Sequence, residues 1–298
     1  MDQIKIVEVG PRDGLQNEKN MVPTQVKLAF IEKLVAAGLK TIETTSFVSP
    51  KMVPQLADHE TLMQQIPSTS GVHYSVLIPN QRGLTHALSC QVKDIAVFAA
   101  ASETFSQKNI GRSIQQSLDE YALIIKQAKE KNLRVRGYVS CVLGCPYEGK
   151  VPRSQVIAVA KSLFAAGCDE ISLGDTIGVG TPALASELVK NVANEIPISQ
   201  LALHFHDTYG QALANILACL ALGIKTIDSS VAGLGGCPYA KGATGNVATE
   251  EVVYMLSGMG IKTGIDLDKL IEAGEFICQY LRRSNQSKVA VAMLAKRT

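Results

Sequence analysis

Two histidines one residue apart, His204 and His206 in Leu201-Ala202-Leu203-His204-Phe205-His206-Asp207, are the first sign of chemistry in this chain. At positions i and i+2 of an extended strand, both imidazoles face the same side. One strand histidine is usually satisfied within a core. Two at alternate positions at a strand's carboxyl end are costly to bury without a partner, and a divalent cation suits them. Gly10-Pro11-Arg12-Asp13-Gly14 adds a cation and a carboxylate side by side, in a turn made tight by its glycines. Such a pair is ordinarily solvated. Placed at the end of a first strand, however, Asp13 is within reach of an ion held by the histidines. Two imidazoles, a carboxylate and an amide leave open positions on an octahedral ion such as Mg2+ or Mn2+, which a substrate would fill.

A third feature is the segment from Gly233 to Asn246, with five glycines in its first thirteen residues and Cys237 among them. Its composition reads as a loop able to move, carrying a thiol that gives or takes a proton over a bound substrate. Against this stands the plainer reading of a turn with an inert cysteine. Glu43 interrupts the apolar run Thr41 to Phe47, and Asp175 closes Ser172-Leu173-Gly174-Asp175-Thr176. Buried acids need partners. At strand ends, these two are placed to orient Arg12 and to support the ion site.

The elements that must position these groups follow from hydrophobic periodicity. Short runs rich in Val and Ile alternate with segments of helical spacing, the pattern of repeated β-α units. Eight strands are predicted: Ile4–Val9, Thr41–Phe47, Val72–Ile78, Asp94–Ala100, Arg134–Cys141, Glu170–Leu173, Leu201–His206 and Thr226–Ala232. The helix-to-strand joints around Gly38, Gly167 and Gly223 are alike, each with glycine where a helix C-cap is expected. The α/β fold class that fits is a single-domain (β/α)8 TIM barrel over 1–298, with 266–298 as a C-terminal helical extension built on an amphipathic helix from Leu267 to Arg283. No glycine-rich dinucleotide fingerprint follows the first strand. Barrels keep their chemistry at the carboxyl ends of strands, where the groups above fall.

With 298 residues, 46% hydrophobic and 19% charged, the chain can bury a large core, and its net charge of +2 gives no footprint for nucleic acid or an anionic membrane. Its longest nearly apolar stretch, Ala212 to Ile224, is too short to span a bilayer and reads as a packed helix. Seven cysteines are an odd number without paired zinc spacing, so most are expected reduced and buried. No presequence is visible ahead of Ile4, so a cytoplasmic location is expected.

Ser230-Val231-Ala232-Gly233-Leu234-Gly235-Gly236-Cys237-Pro238-Tyr239 resembles the active-site signature of the 3-hydroxy-3-methylglutaryl-CoA lyase family. Val9-Gly10-Pro11-Arg12-Asp13-Gly14-Leu15-Gln16-Asn17 and Leu203-His204-Phe205-His206-Asp207-Thr208 resemble its other motifs, and the likeness extends over essentially the whole chain. The resemblance implies a metal-dependent barrel that cleaves 3-hydroxy-3-methylglutaryl-CoA to acetyl-CoA and acetoacetate, the chemistry of leucine degradation and ketone-body formation. It implies that Asp13, His204, His206 and Asn246 hold one Mg2+ or Mn2+ ion, that Arg12 faces the developing enolate and that Cys237 is the proton donor. Glu43 and Asp175 match the family's supporting acids, and His204 joins the catalytic set. Contacts to the acyl-CoA substrate are implied for Arg12, Gln16, Ser46, Lys108, Asn109, Ser172 and Thr176, the Lys108-Asn109 pair lying near the CoA portion. A homodimer is suggested, with the extra C-terminal helix a candidate contributor.

The base that removes the hydroxyl proton stays open among His204, Asp13 and a metal-bound water. Three rival functions stand beside this lyase: a lyase for a longer-branched 3-hydroxy-3-alkylglutaryl-CoA; a Claisen synthase using acetyl-CoA, which would share the barrel, Arg12-Asp13 and the His204 and His206 pair but not the Gly235-Gly236-Cys237-Pro238-Tyr239 loop; and a non-catalytic barrel that binds CoA thioesters or proteins.

Overall fold

The structure, a computed structural model, describes residues 3–236 and 245–296. Its sheet contains β1 (Lys5–Glu8), β2 (Thr41–Ser46), β3 (His73–Leu77), β4 (Asp94–Ala100), β5 (Arg134–Ser140), β6 (Glu170–Asp175), β7 (Leu201–Phe205) and β8 (Thr226–Ser229). Every strand pairs in parallel with the next, and β8 returns to β1, closing the expected barrel. Strand β4 has the expected bounds, and the other strands differ from expectation at one or both ends by up to three residues. The largest difference is at β8, where Val231–Gly233 leaves the strand as a 3-10 turn with Ala232 at φ 58°.

Around the barrel lie α1 (Thr24–Ala36), α2 (His59–Gln65), α3 (Gln81–Ser89), α4 (Glu103–Ile110), α5 (Ile114–Glu130), α6 (Arg153–Ala166), α7 (Pro182–Ala193), α8 (Ala212–Leu220) and α9 (Thr249–Gly258). The three joint glycines behave as their sequence context predicts, with φ of 100° at Gly38, 115° at Gly167 and 102° at Gly223. Left-handed backbone ends each preceding helix and releases the chain into the next strand. The stretch from Ala212 to Ile224 is helical only to Leu220, because the turn through Gly223 must then form.

Side chains such as Leu34, Ile42, Val139, Leu188, Leu203 and Ile216 fill the layer between sheet and helices, each fully buried. The barrel interior carries charge instead. Lys5 Nζ lies 2.6 Å from Glu170, whose other oxygen is 2.9 Å from Arg136 Nε, and Arg136 Nη2 lies 2.6 Å from Asp228. Strand register explains this column. Tyr138 is level with Ser172, Gly174 with His204 and His204 with Asp228, so alternate residues of four neighbouring strands share the inner face.

Beyond the eighth unit come α10 (Leu267–Leu281) and α11 (Lys288–Ala295). The Asp266 side chain caps α10, accepting from the backbone N–H groups of Asp268 and Lys269. Gly274 lets α10 approach closely, since a Cβ there would stand 3.0 Å from Glu250 Oε1 and 3.3 Å from Ala232 Cβ. Among the described residues no helix is long and apolar enough to cross a membrane.

Candidate metal and acid–base centre

The turn Gly10–Gly14 takes its shape from Glu8, the last residue of β1. Glu8 is fully buried, and its Oε1 accepts from Gly10 N at 2.8 Å and Val231 N at 2.9 Å, while Oε2 accepts from Thr249 Oγ1 at 2.7 Å. One carboxyl thereby ties the end of β1 to the segments that follow β8. Burial pushes it up to about 7 despite these donors.

The turn aims Arg12 and Asp13 into the barrel mouth. Arg12 reaches Glu43 through Nε at 2.8 Å and Nη2 at 2.7 Å, and Asp13 through Nη1 at 2.7 Å. Tyr138 lies beneath, its ring 5.9 Å from the guanidinium carbon and its hydroxyl donating to Glu43 at 3.3 Å. Burial would raise the Asp13 carboxyl, but Arg12, the two histidines and the Asn246 amide together hold it well below the usual carboxylate range. For Glu43, burial outweighs Arg12 and the group is pushed up.

Opposite Arg12, the two imidazoles face each other with ring centroids 5.4 Å apart. His204 Nε2 is 3.9 Å from Asp13 Oδ2, and ligand atoms of Asp13, His204 and His206 all lie within 4.8 Å of one another. His206 is bridged to Asn246 in antiparallel fashion, and Asn246 Nδ2 donates to Asp13 Oδ2 at 2.7 Å and to the Leu234 carbonyl at 3.3 Å. With its amide group turned to Asp13 and Leu234, Asn246 would offer a cation its side-chain carbonyl oxygen. A divalent cation fits these residues. Among the described residues the buried His206 Nδ1 finds no hydrogen-bond partner of good geometry, a cost that a bound ligand would offset. Burial and the neighbouring His204 lower His206 to about 4, so its imidazole is neutral at pH 7, as a metal ligand requires.

The sequence-predicted residues divide accordingly. Arg12, Asp13, Glu43, His204, His206 and Asn246 converge. Asp175 does not join Arg12: its carboxylate accepts from Val179 N at 3.2 Å and Gly180 N at 2.8 Å, shaping the turn after β6, and burial lifts it to about 6. Ser172 is fully buried and donates to Asp228 at 2.9 Å. Thr176 Oγ1 accepts from Cys141 N at 2.8 Å, and Ser46 Oγ donates to the Leu77 carbonyl at 3.3 Å. Gln16 is half-buried just past the Arg12 turn. Lys108 and half-buried Asn109 stand on α4, with Lys108 Nζ 4.1 Å over the Tyr147 ring. Cys237 lies outside the described residues, although the stems on either side are placed. Asn17 Nδ2 donates to the Gly236 carbonyl at 3.1 Å, and a Cβ on Gly245 would stand 2.8 Å from Gly236 N. Gly236 and Gly245 are therefore neighbours, next to Asn246, whose amide donates to Asp13.

Sequence reasoning missed Asp228, Arg136, Tyr138 and Glu8. Their only signal is a charged or polar residue in an otherwise apolar strand, the same signal that brought out Glu43.

A model of the family described as HMGL-like matches residues 3–277. Mitochondrial hydroxymethylglutaryl-CoA lyase of Mus musculus is 58% identical over 290 residues, covering 97% of this chain and 89% of its own. Cytoplasmic 3-hydroxy-3-methylglutaryl-CoA lyase of Rattus norvegicus is 56% identical over 296 residues, covering 99% and 86%. The crystal structure of hydroxymethylglutaryl-CoA lyase from Pseudomonas aeruginosa superposes with a TM-score of 0.96 at 55% identity, covering 99% of this chain and 98% of that one.

Proposed function

We propose, from the premise that this chain belongs to the HMGL-like family, that it is a lyase cleaving 3-hydroxy-3-methylglutaryl-CoA to acetyl-CoA and acetoacetate. The observation that carries the reading is the convergence of Asp13, His204 and His206 within 4.8 Å of one another at the barrel mouth, with Arg12 ion-paired to Asp13 beside them. Asp13, His204, His206 and Asn246 would hold one Mg2+ or Mn2+, a choice favoured by a donor set of mixed oxygen and imidazole. When bound, the ion supplies Lewis-acid polarisation of substrate oxygens.

The chain's own residues do the rest. A base of the cluster takes the tertiary hydroxyl proton. The bond between the second and third carbons of the acyl chain breaks, and its electrons pass into the thioester, leaving a ketone as acetoacetate and the enolate of acetyl-CoA. Arg12 meets the enolate oxygen with charge-assisted hydrogen bonds, held in place by Glu43 and Asp13. Cys237 then protonates the enolate carbon, a role supported by the loop stems beside Asn246. Asp175 acts through the turn it shapes after β6. Gln16, Ser46, Lys108, Asn109, Ser172 and Thr176 are assigned to the acyl-CoA side of the site, directly or through neighbours. Residence in the cytoplasm and assembly as a homodimer belong to the same reading. Exposed Tyr280 and Val291 on the C-terminal helices are candidates for the dimer contact, and light scattering measures the mass.

Incubation with 3-hydroxy-3-methylglutaryl-CoA and Mg2+ or Mn2+ tests the activity. Equal amounts of acetoacetate and acetyl-CoA are expected. Absence of product, with condensation of acetyl-CoA and a 2-keto acid instead, would assign a synthase.

A further inference from the structure

Asp228 sits on β8 level with His204 on β7 and is 2% exposed. Its Oδ2 lies 3.1 Å from His204 Nδ1 and accepts from Ser172 Oγ at 2.9 Å, while Oδ1 is held by Arg136 Nη2 at 2.6 Å. Arg136 in turn lies against Glu170 at 2.9 Å and donates to the Tyr138 hydroxyl at 3.0 Å, and the Tyr138 ring meets the His204 ring edge-on with centroids 5.7 Å apart. His204 is therefore fixed from two directions. The Tyr138 ring sets its plane and Asp228 its far nitrogen.

We infer that Asp228 is a positioning residue for the metal site, selecting the His204 tautomer whose Nε2 lone pair faces Asp13. An ionised carboxylate only accepts hydrogen bonds, so Nδ1 must carry the hydrogen at the observed contact. Nε2, 3.9 Å from Asp13 Oδ2, is thereby left as the donor atom on the side of the cluster. A carboxylate behind a ligand histidine also raises the basicity of the imidazole, and loss of such a partner typically weakens metal binding about 10–100-fold. Arg136 anchors Oδ1 with a charge-assisted hydrogen bond at 2.6 Å that keeps the carboxylate turned to the ring, and Ser172 adds a neutral hydrogen bond to Oδ2. The inference rests on the metal-site reading above for its consequence, but the tautomer itself requires no ion.

The test uses the full-length protein, stripped of metal, and Asp228→Asn. An amide of the same shape can present its NH2 to Nδ1 and turn the imidazole over to the wrong tautomer without moving it. Nitrogen-15 NMR of the histidine side chains, with His204→Gln used to assign the signal, should show Nδ1–H in the parent protein and Nε2–H or a mixture in Asp228→Asn. Mn2+ affinity read by electron paramagnetic resonance should fall about 10–100-fold. Asp228→Asn leaves Arg136 facing a neutral group; if it does not fold, Asp228→Leu combined with Arg136→Met takes its place, since it removes both the acceptor and the charge paired with it, and loss of the Nδ1–H preference is again expected. Ser172→Ala is the control for packing, since it removes a hydrogen bond to the same oxygen and should leave the His204 tautomer in place. Nδ1–H persisting in folded Asp228→Asn, or in the double variant, overturns the inference. If the tautomer changes while His204→Gln binds Mn2+ as tightly as the parent, Asp228 still orients His204 and it is the metal-site reading that fails.

Discussion

Replacing Arg12 separates catalysis from architecture. In Arg12→Met, Glu43 loses contacts at 2.8 and 2.7 Å, and Asp13 loses one at 2.7 Å. Glu43 is fully buried, with the Tyr138 hydroxyl at 3.3 Å as its remaining side-chain donor among the described residues. Removing one partner of a buried pair costs about 3–5 kcal/mol, because the other charge is stranded. At about 2 °C per kcal/mol for a chain of this length, thermal unfolding should fall by roughly 6–10 °C. Adding Glu43→Gln removes the stranded carboxyl and should recover part of that stability. Turnover should behave differently: loss of a preorganised donor to a developing oxyanion costs about 10²–10³-fold in kcat, and no glutamine at position 43 replaces it. Arg12→Lys should keep more stability than Arg12→Met while remaining slow, since a point charge does not reproduce the planar fork. The assay is thermal unfolding and initial acetoacetate release for each protein. If turnover in Arg12→Met/Glu43→Gln returned together with its melting temperature, Arg12 would be an architectural residue and the enolate role would be wrong.

Three further outcomes follow from particular residues. Cys237→Ala should bind Mn2+ as the parent does while turning over at least about 10²-fold more slowly, and unchanged turnover removes the thiol from proton transfer. Burial raises Glu250 from 4.5 to about 8 and Glu8 to about 7, so between roughly pH 4.5 and 8 the folded protein keeps protons that the unfolded chain has released, and their contribution to stability falls as pH rises. Glu250→Gln should flatten that decline in urea unfolding across the pH series; an identical slope in parent and variant contradicts it. Gly10→Ala would place a Cβ 2.6 Å from Glu8 Oε1, a carboxyl already fixed by three hydrogen bonds, and should cost about 1–3 kcal/mol together with weaker Mn2+ binding, checked by unfolding and by titration.

The fold was legible because each β-α unit repeats one local pattern. Three helix ends carry glycine where left-handed backbone was required, and φ at Gly38, Gly167 and Gly223 lies between 100° and 115°. The site was legible where a motif places unusual residues at a strand end, as Arg12, Asp13, His204 and His206 do. Asp228 was not, because a lone carboxyl in Thr226-Ile227-Asp228-Ser229 gains meaning only when closure of the barrel sets β8 beside β7 and places Arg136 across the interior. Asp175 shows the opposite limit. Its place at a strand end suggested Arg12 as partner, yet the local turn reached by Val179 and Gly180 takes up its carboxylate first.

Asp13, His204, His206 and Asn246, beside Arg12, would hold the one cation that the cleavage needs. Metal-stripped protein titrated with Mn2+ while acetoacetate release from 3-hydroxy-3-methylglutaryl-CoA is followed tests it directly. Release should rise in proportion to bound Mn2+ and level off at one ion per chain, with no rise in His206→Ala. Full turnover with the cation chelated away, or none at saturation, would rule out such a role for the ion.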